Sequence, residues 1–220
     1  MLTASEALSR LQEGNRRFVA NQTTCGPLDK AARAALAARQ EPFAIILGCS
    51  DSRVPAELVF DQSFGDLFVI RVAGNIVAPS QVGSVEFAAL RFGTQLVVVL
   101  GHSGCGAIIA TLEDMTGRAP CPSQNVFSIV DRVRPSVESV LAGRDCDAEE
   151  LVRDAVRANV RASVDQLRQG SALLEELSRT GGLKVVGAEY SLETGVVTFL
   201  DTGDGNDDRT SSAAVRRSEG

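Results

Sequence analysis

The chain holds a single histidine, a single tyrosine and no tryptophan among its 220 residues. A single imidazole can serve one role only, so whatever His102 does, no second imidazole is present to assist it. Aromatic residues make up only 5% of the chain against 44% hydrophobic overall, so the core must be built from Val, Leu, Ile and Ala. No apolar run reaches the roughly 18 residues of a membrane helix. The opening "MLTASEALSRLQEGNRRFVANQ" lacks the apolar stretch of a secretory signal. These absences lead to the expectation of a cytoplasmic protein with no membrane partner. A surplus of positive charge is also missing: the net charge of -6 would be repelled by nucleic acid and acidic lipid alike. The five cysteines are sparse, odd in number and never spaced Cys-x-x-Cys, which argues against a disulfide framework and against dithiol redox chemistry. Cys25, Cys121 and Cys146 carry no motif and are read as small buried hydrophobes.

What is present is a pattern of short apolar runs alternating with helical periodicity. "FAIILG" (43–48), "DLFVIRV" (66–72) and "QLVVVLG" (95–101) read as strands buried on both faces. Between the last two, "VGSVEFAALRFG" (82–93) has helical spacing and a terminal glycine, as βαβ units on a parallel sheet require. Near the start, Leu8, Leu11 and Phe18 share a helical face with Thr3 or Ser5 available as N-cap, and 28–40 reads as a second helix. A long amphipathic helical region spans 148–179 and breaks near Gly170. "LKVVGAEY" and "VVTFLD" flank "SLETG", a hairpin by turn chemistry. The expected fold is therefore α/β: a mostly parallel sheet of about four parallel strands plus an antiparallel C-terminal edge strand, flanked by helices. Residues 1–200 are read as one domain, with 1–40 an N-terminal helical arm and 201–220 a disordered polar tail.

Ligands of open α/β sheets lie beyond the carboxyl ends of strands, and two such ends are chemically loaded. "CSDSR" (49–53) follows the first strand and "HSGC" (102–105) the third. Cys49, His102 and Cys105 make a catalytic zinc set, three protein ligands with one position left open. The nearest candidate for a fourth ligand is the carboxylate of Asp51. A lone histidine after a strand is more often a hydrogen-bonded turn residue, and a nucleophilic cysteine with histidine as base is the other active reading. The second cysteine, idle in both, favours the metal.

The two turns, together with "EGNRRFV", "CSDSRVPAELVFDQSFGDLFVIRVAGN", "VVVLGHSGCGAI" and "GAEYSLETG", resemble the β-class carbonic anhydrases over residues from about 5 to 200. The "RVAGN" form is most similar to actinobacterial-type members. The resemblance implies a zinc lyase that reversibly hydrates carbon dioxide to bicarbonate and a proton by attack of zinc-bound hydroxide. It implies a homodimer or a dimer of dimers (homotetramer) with active sites near the subunit interface. Cys49, His102 and Cys105 carry over as zinc ligands, and Asp51 and Arg53 as the catalytic dyad. Gln40, Gly106, Phe68, Ala73 and Phe87 carry over as substrate contacts, although some members have Val and Tyr at the last two positions. Arg71 and Tyr190 match two residues of an inhibitory bicarbonate pocket whose third, a tryptophan, is Ile46 here; the plain reading of both is local structure or dimer packing.

Two jobs are open to Asp51: accepting a hydrogen bond from the nucleophile, or closing onto zinc as a fourth ligand. The guanidinium fork of Arg53 can hold the carboxylate off the metal. The same zinc shell also serves hydrolysis of carbon disulfide or carbonyl sulfide in related members. A non-catalytic zinc scaffold would have no need of Asp51, Arg53 and Gln40.

Overall fold

A computed structural model describes residues 2–141 and 147–200. In chain order its elements are α1 (Ala4–Val19), α2 (Lys30–Ala38), β1 (Ala44–Gly48), α3 (Ala56–Val59), β2 (Leu67–Arg71), a 3₁₀ turn (Ala73–Asn75), α4 (Pro79–Phe92), β3 (Leu96–His102), α5 (Gly106–Met115), α6 (Gln124–Leu141), α7 (Ala148–Gln169), α8 (Ala172–Thr180), β4 (Lys184–Tyr190) and β5 (Val197–Leu200). The expected tail at 201–220 and Cys146 lie outside the described residues.

The strands form one sheet in the order β2-β1-β3-β4-β5. All pairs are parallel except β4 with β5, the expected hairpin. Every residue of β1 and β3 is buried, because helices cover both faces. Alternate side chains serve the two sides. Ala44, Ile46, Val98 and Leu100 join a core with Ala4, Ala7 and Leu11 of α1. Ile45, Leu47, Val97 and Val99 join Val85 and Ala88 of α4 and Val160 and Val164 of α7. From β1 the chain steps outward to β2, then crosses back to place β3 on the other side of β1. The strand order therefore reverses between β1 and β3, the place where such sheets open a crevice.

Local chemistry explains the element ends. Thr3, rather than Ser5, caps α1 in a reciprocal capping box with Glu6. α4 begins at Pro79, earlier than periodicity alone implies, because proline suits the first helical turn, and Gly93 ends it in the left-handed region (φ 63°). α6 has no counterpart among the expected elements: Pro135 interrupts its periodicity, yet Val130, Val133 and Val137 still bury on one face. α1 passes so close to the end of α3 that a Cβ on Gly14 would lie 1.7 Å from the Phe60 carbonyl oxygen.

Asp61 ties the segment after α1 to the body. Its buried carboxylate accepts from Arg17 Nε at 2.5 Å, the Thr24 N–H at 2.9 Å, the Thr24 hydroxyl at 3.0 Å and the Cys25 N–H at 3.0 Å. This anchoring leaves the Cys25 side chain exposed, contrary to its reading as a buried hydrophobe, and Cys121 is only half-buried. Burial alone would raise the Asp61 pKa, but the donors outweigh it and hold the group well below the usual carboxylate range. A depressed native pKa stabilises the fold above the unfolded value of about 3.9 and loses that contribution as pH falls through the native one. Asp61→Asn is therefore expected to cost about 2–3 kcal/mol at pH 7. That is below the roughly 3–5 kcal/mol of a fully buried pair, since Arg17 keeps part of its side chain in water. Urea unfolding should show the gap to wild type closing below about pH 4; a gap independent of pH would contradict the assignment.

Candidate metal centre

β1 delivers Cys49 and β3 ends on His102, so the adjacency of these two strands brings the two turns together. Gly104, in the left-handed region at φ 62°, turns the chain so that Cys105 becomes the N-cap of α5. The ligand atoms of Cys49, His102 and Cys105 all lie within 4.8 Å of one another, and all three residues are buried. The two Sγ atoms are 4.0 Å apart, near the ~3.8 Å that two thiolates keep on one tetrahedral ion with Zn–S bonds of ~2.3 Å.

His102 is fully buried. Its Nδ1 lies 3.0 Å from the Ser103 carbonyl oxygen, which can only accept, so the ring proton belongs on Nδ1. That leaves a lone pair on Nε2, and Nε2 is buried without a hydrogen-bond partner among the described residues. A metal ion between Nε2 and the two sulfurs would satisfy it, and the Nδ1–H bond is what a metal-ligating histidine normally makes. The thiols point the same way. The hydrogen bond from Cys105 lowers the Cys49 pKa, while that same bond and burial raise Cys105. The pair contests one proton, a conflict that a divalent cation removes by taking both as thiolates. Burial alone would lower the His102 pKa, and the neighbouring Cys49 reverses that.

Asp51 and Arg53 stand beside this cluster. The Asp51 carboxylate accepts from Arg53 Nε at 2.9 Å and Nη2 at 2.7 Å, one bond to each oxygen, and from the Arg53 N–H at 3.0 Å. These bonds hold Asp51 well below the usual carboxylate range, so it is ionised at neutral pH. Its Oδ2 is 3.8 Å from His102 Nε2.

A family model described as "Carbonic anhydrase" matches residues 44–197. Carbonic anhydrase 2 of Mycobacterium tuberculosis is 40% identical over 195 residues, covering 89% of this chain and 92% of that protein. Among solved structures, a β-carbonic anhydrase of Aspergillus fumigatus superposes with a TM-score of 0.71 at 26% identity, covering 90% of each chain. One of two tetrameric β-carbonic anhydrases of Sordaria macrospora gives 0.68 at 25%, covering 77% of this chain and 85% of that one. The chain belongs to the β-carbonic anhydrase family.

The remaining expected site residues of this carbonic anhydrase fall into two groups. Gly106 follows Cys105 as the first residue of α5, and Ala73 opens the 3₁₀ turn whose next residue, Gly74, donates its N–H to Cys49 Sγ at 3.4 Å. Both are at the metal end of the sheet. Gln40, Phe68 and Phe87 are not. Phe68 pairs in register with Ile45, four residues before Cys49, a separation of about 13 Å at ~3.3 Å per residue. Gln40 precedes β1 and, with Phe87, lines a cleft of about 730 Å³ at the opposite end, beside Arg10, Phe43, Arg91 and Phe92.

Arg71 takes the plain reading, local structure. From the end of β2 it donates to the backbone carbonyls of Cys49 (Nε, 3.0 Å) and Asp51 (Nη2, 2.5 Å), bracing the loop that carries both. Ile46 is fully buried in β1 and Tyr190 is buried against the same core. Only the end of a strand beside another strand could have signalled the Arg71 contact, because its partners are main-chain atoms.

Proposed function

We propose that this carbonic anhydrase reversibly hydrates carbon dioxide to bicarbonate and a proton, using one zinc ion per subunit held by Cys49, His102 and Cys105. The observation that carries this reading is the orphaned Nε2 of the only histidine, converging with two thiols in a buried cluster. Zinc bound there would supply Lewis acidity that brings the deprotonation of water within reach of neutral pH.

The chain's own groups do the rest. Ionised Asp51 can only accept a hydrogen bond, so it aims the lone pair of the attacking water at carbon by holding that water's O–H. The fork of Arg53 occupies both carboxylate oxygens and restrains Asp51 from serving as a fourth ligand. At the start of α5 the Gly106 N–H, helped by the helix N-terminus, receives a substrate oxygen. Ala73 contributes to the apolar wall for carbon dioxide. With its imidazole engaged as a ligand, the chain passes the proton to water, buffer or another group.

Gln40, Phe68 and Phe87 complete the pocket from a second copy of the chain. Each is remote from its own metal cluster, and Phe87 (55% exposed) and Leu90 (61% exposed) leave an apolar face at that end for a partner to cover. A homodimer, which can pair again into a tetramer, follows. Arg71 is committed to the Cys49 and Asp51 carbonyls and Ile46 stands where a tryptophan is needed, so the chain lacks the residue set for bicarbonate at that pocket. A cytoplasmic location suits the free thiols of the site.

Stopped-flow hydration of carbon dioxide tests the reading. Zinc-loaded wild type should be active, and Cys105→Ser should lose both zinc and activity. The loss should exceed the roughly 10–100-fold that removal of an outer hydrogen-bond partner costs. Full activity in Cys105→Ser, or an inactive wild type carrying one zinc per chain, would overturn it.

A further inference from the structure

Two consecutive residues beside Cys49 have left-handed backbone: Gly74 at φ 69° and Asn75 at φ 44°. Glycine adopts this conformation freely, but asparagine only by exception. The Asn75 side-chain nitrogen is buried without a partner among the described residues, and within the turn the Asn75 main-chain N–H donates to the Val72 carbonyl at 3.0 Å. The side-chain ties come from α7. Asn159 Nδ2 donates to the Gly74 carbonyl at 2.8 Å, and Ser163 Oγ donates to the Asn75 carbonyl at 3.2 Å. Asn159 and Ser163 are each 3% exposed, and their spacing of four residues puts them on one face of the helix.

The same face is seated tightly on the sheet. A Cβ on Gly101, next to His102, would come within 2.5 Å of Val160 Cγ2, so α7 reaches the metal end of β3 and the 3₁₀ turn together. The Gly74 N–H meets Cys49 Sγ at 3.4 Å only while this turn keeps its dihedral angles. A hydrogen bond to a metal-bound thiolate withdraws charge from sulfur and leaves the metal more electron-poor. That matters where two of three ligands are thiolates, because each one offsets the charge of a divalent ion.

We infer that Asn159, supported by Ser163, is a positioning residue of the metal site. By fixing the Gly74–Asn75 turn it keeps the Gly74 N–H on the Cys49 sulfur and so raises the Lewis acidity of the bound ion. The inference rests on the zinc reading above, and cobalt(II) as a spectroscopic replacement for zinc separates the two. Wild type that takes up no cobalt would overturn the zinc reading and the inference with it. Cobalt-loaded wild type should show a thiolate-to-cobalt charge-transfer band. In Asn159→Leu, of similar volume but without a donor, that band should move to lower energy, and zinc affinity measured against a chelator should fall roughly tenfold, the low end for outer partners. Ser163→Ala should move the band the same way by less, and it carries the test if Asn159→Leu fails to fold. Val160→Ala, which loosens α7 packing and touches neither carbonyl, should lower stability and leave the band in place. Folded Asn159→Leu or Ser163→Ala with the wild-type band, or a Val160→Ala band displaced as far as theirs, would overturn the inference.

Discussion

Arg53→Ala is expected to keep its full complement of zinc and to lose carbon dioxide hydration by roughly 10²-fold or more, the cost of removing one preorganised polar group at a reaction centre. Among the described residues the side-chain hydrogen bonds of Arg53 go to Asp51 and not to Cys49, His102 or Cys105. Removing the guanidinium frees a carboxylate whose Oδ2 already lies 3.8 Å from His102 Nε2. It can then swing toward the metal and occupy the open position, or simply lose its aim. Protonation is not the route to inactivity. Without Arg53 the Asp51 pKa returns toward the ordinary ~3.9, still far below neutral. The neutral limb of the pH profile should therefore keep its shape while the plateau falls. Arg53→Lys retains charge without the planar fork and should recover only a fraction of the activity. Metal analysis beside stopped-flow kinetics decides the matter: zinc lost in parallel with activity would make Arg53 structural, and undiminished activity would remove the dyad from the mechanism.

Mixed dimers should regain activity that neither parent has. Cys105→Ser disables a chain's own metal cluster, and Gln40→Ala combined with Phe87→Ala disables what the chain lends to its partner. Each variant alone should be close to background. Co-expressed in equal amounts with different tags, half of the dimers are mixed, and each has one site with intact ligands facing an intact Gln40 and Phe87. Roughly a quarter of wild-type activity should return by this count. If each chain completed its own pocket, the mixture would stay inactive, because every chain would carry one defect. The basis is the placement of Gln40 and Phe87 at the end of the sheet remote from Cys49.

Much of the fold was legible because the relevant signals are local. β1, β2 and β3 are short apolar runs, buried on both faces wherever they are central, and the hairpin of β4 and β5 is announced by its turn. α6 was hidden because Pro135 interrupts the helical period, and its assignment depends on Val133 and Val137 meeting the core beneath the metal cluster. Cys25 was misread as a buried residue because its side-chain exposure depends on Asp61, which lies 36 residues away in the chain and binds its main-chain N–H.

The Cys49–His102–Cys105 cluster was legible for a different reason. Each half of the site is local, "CSDSR" at one strand end and "HSGC" at another, and both thiols and the only imidazole had no better occupation. The sequence by itself determined the donor types, the Asp51–Arg53 pair and the alternation that builds a parallel sheet. The tertiary structure decided that β1 and β3 are neighbours, that His102 presents Nε2 and not Nδ1, and that Gly74 and Asn159 stand behind Cys49. It also decided that Gln40, Phe68 and Phe87 lie away from their own chain's cluster. Periodicity and turn chemistry record how each segment meets its immediate surroundings, whereas strand order and main-chain hydrogen bonds join residues far apart in the chain and leave no mark in the side chains on either side.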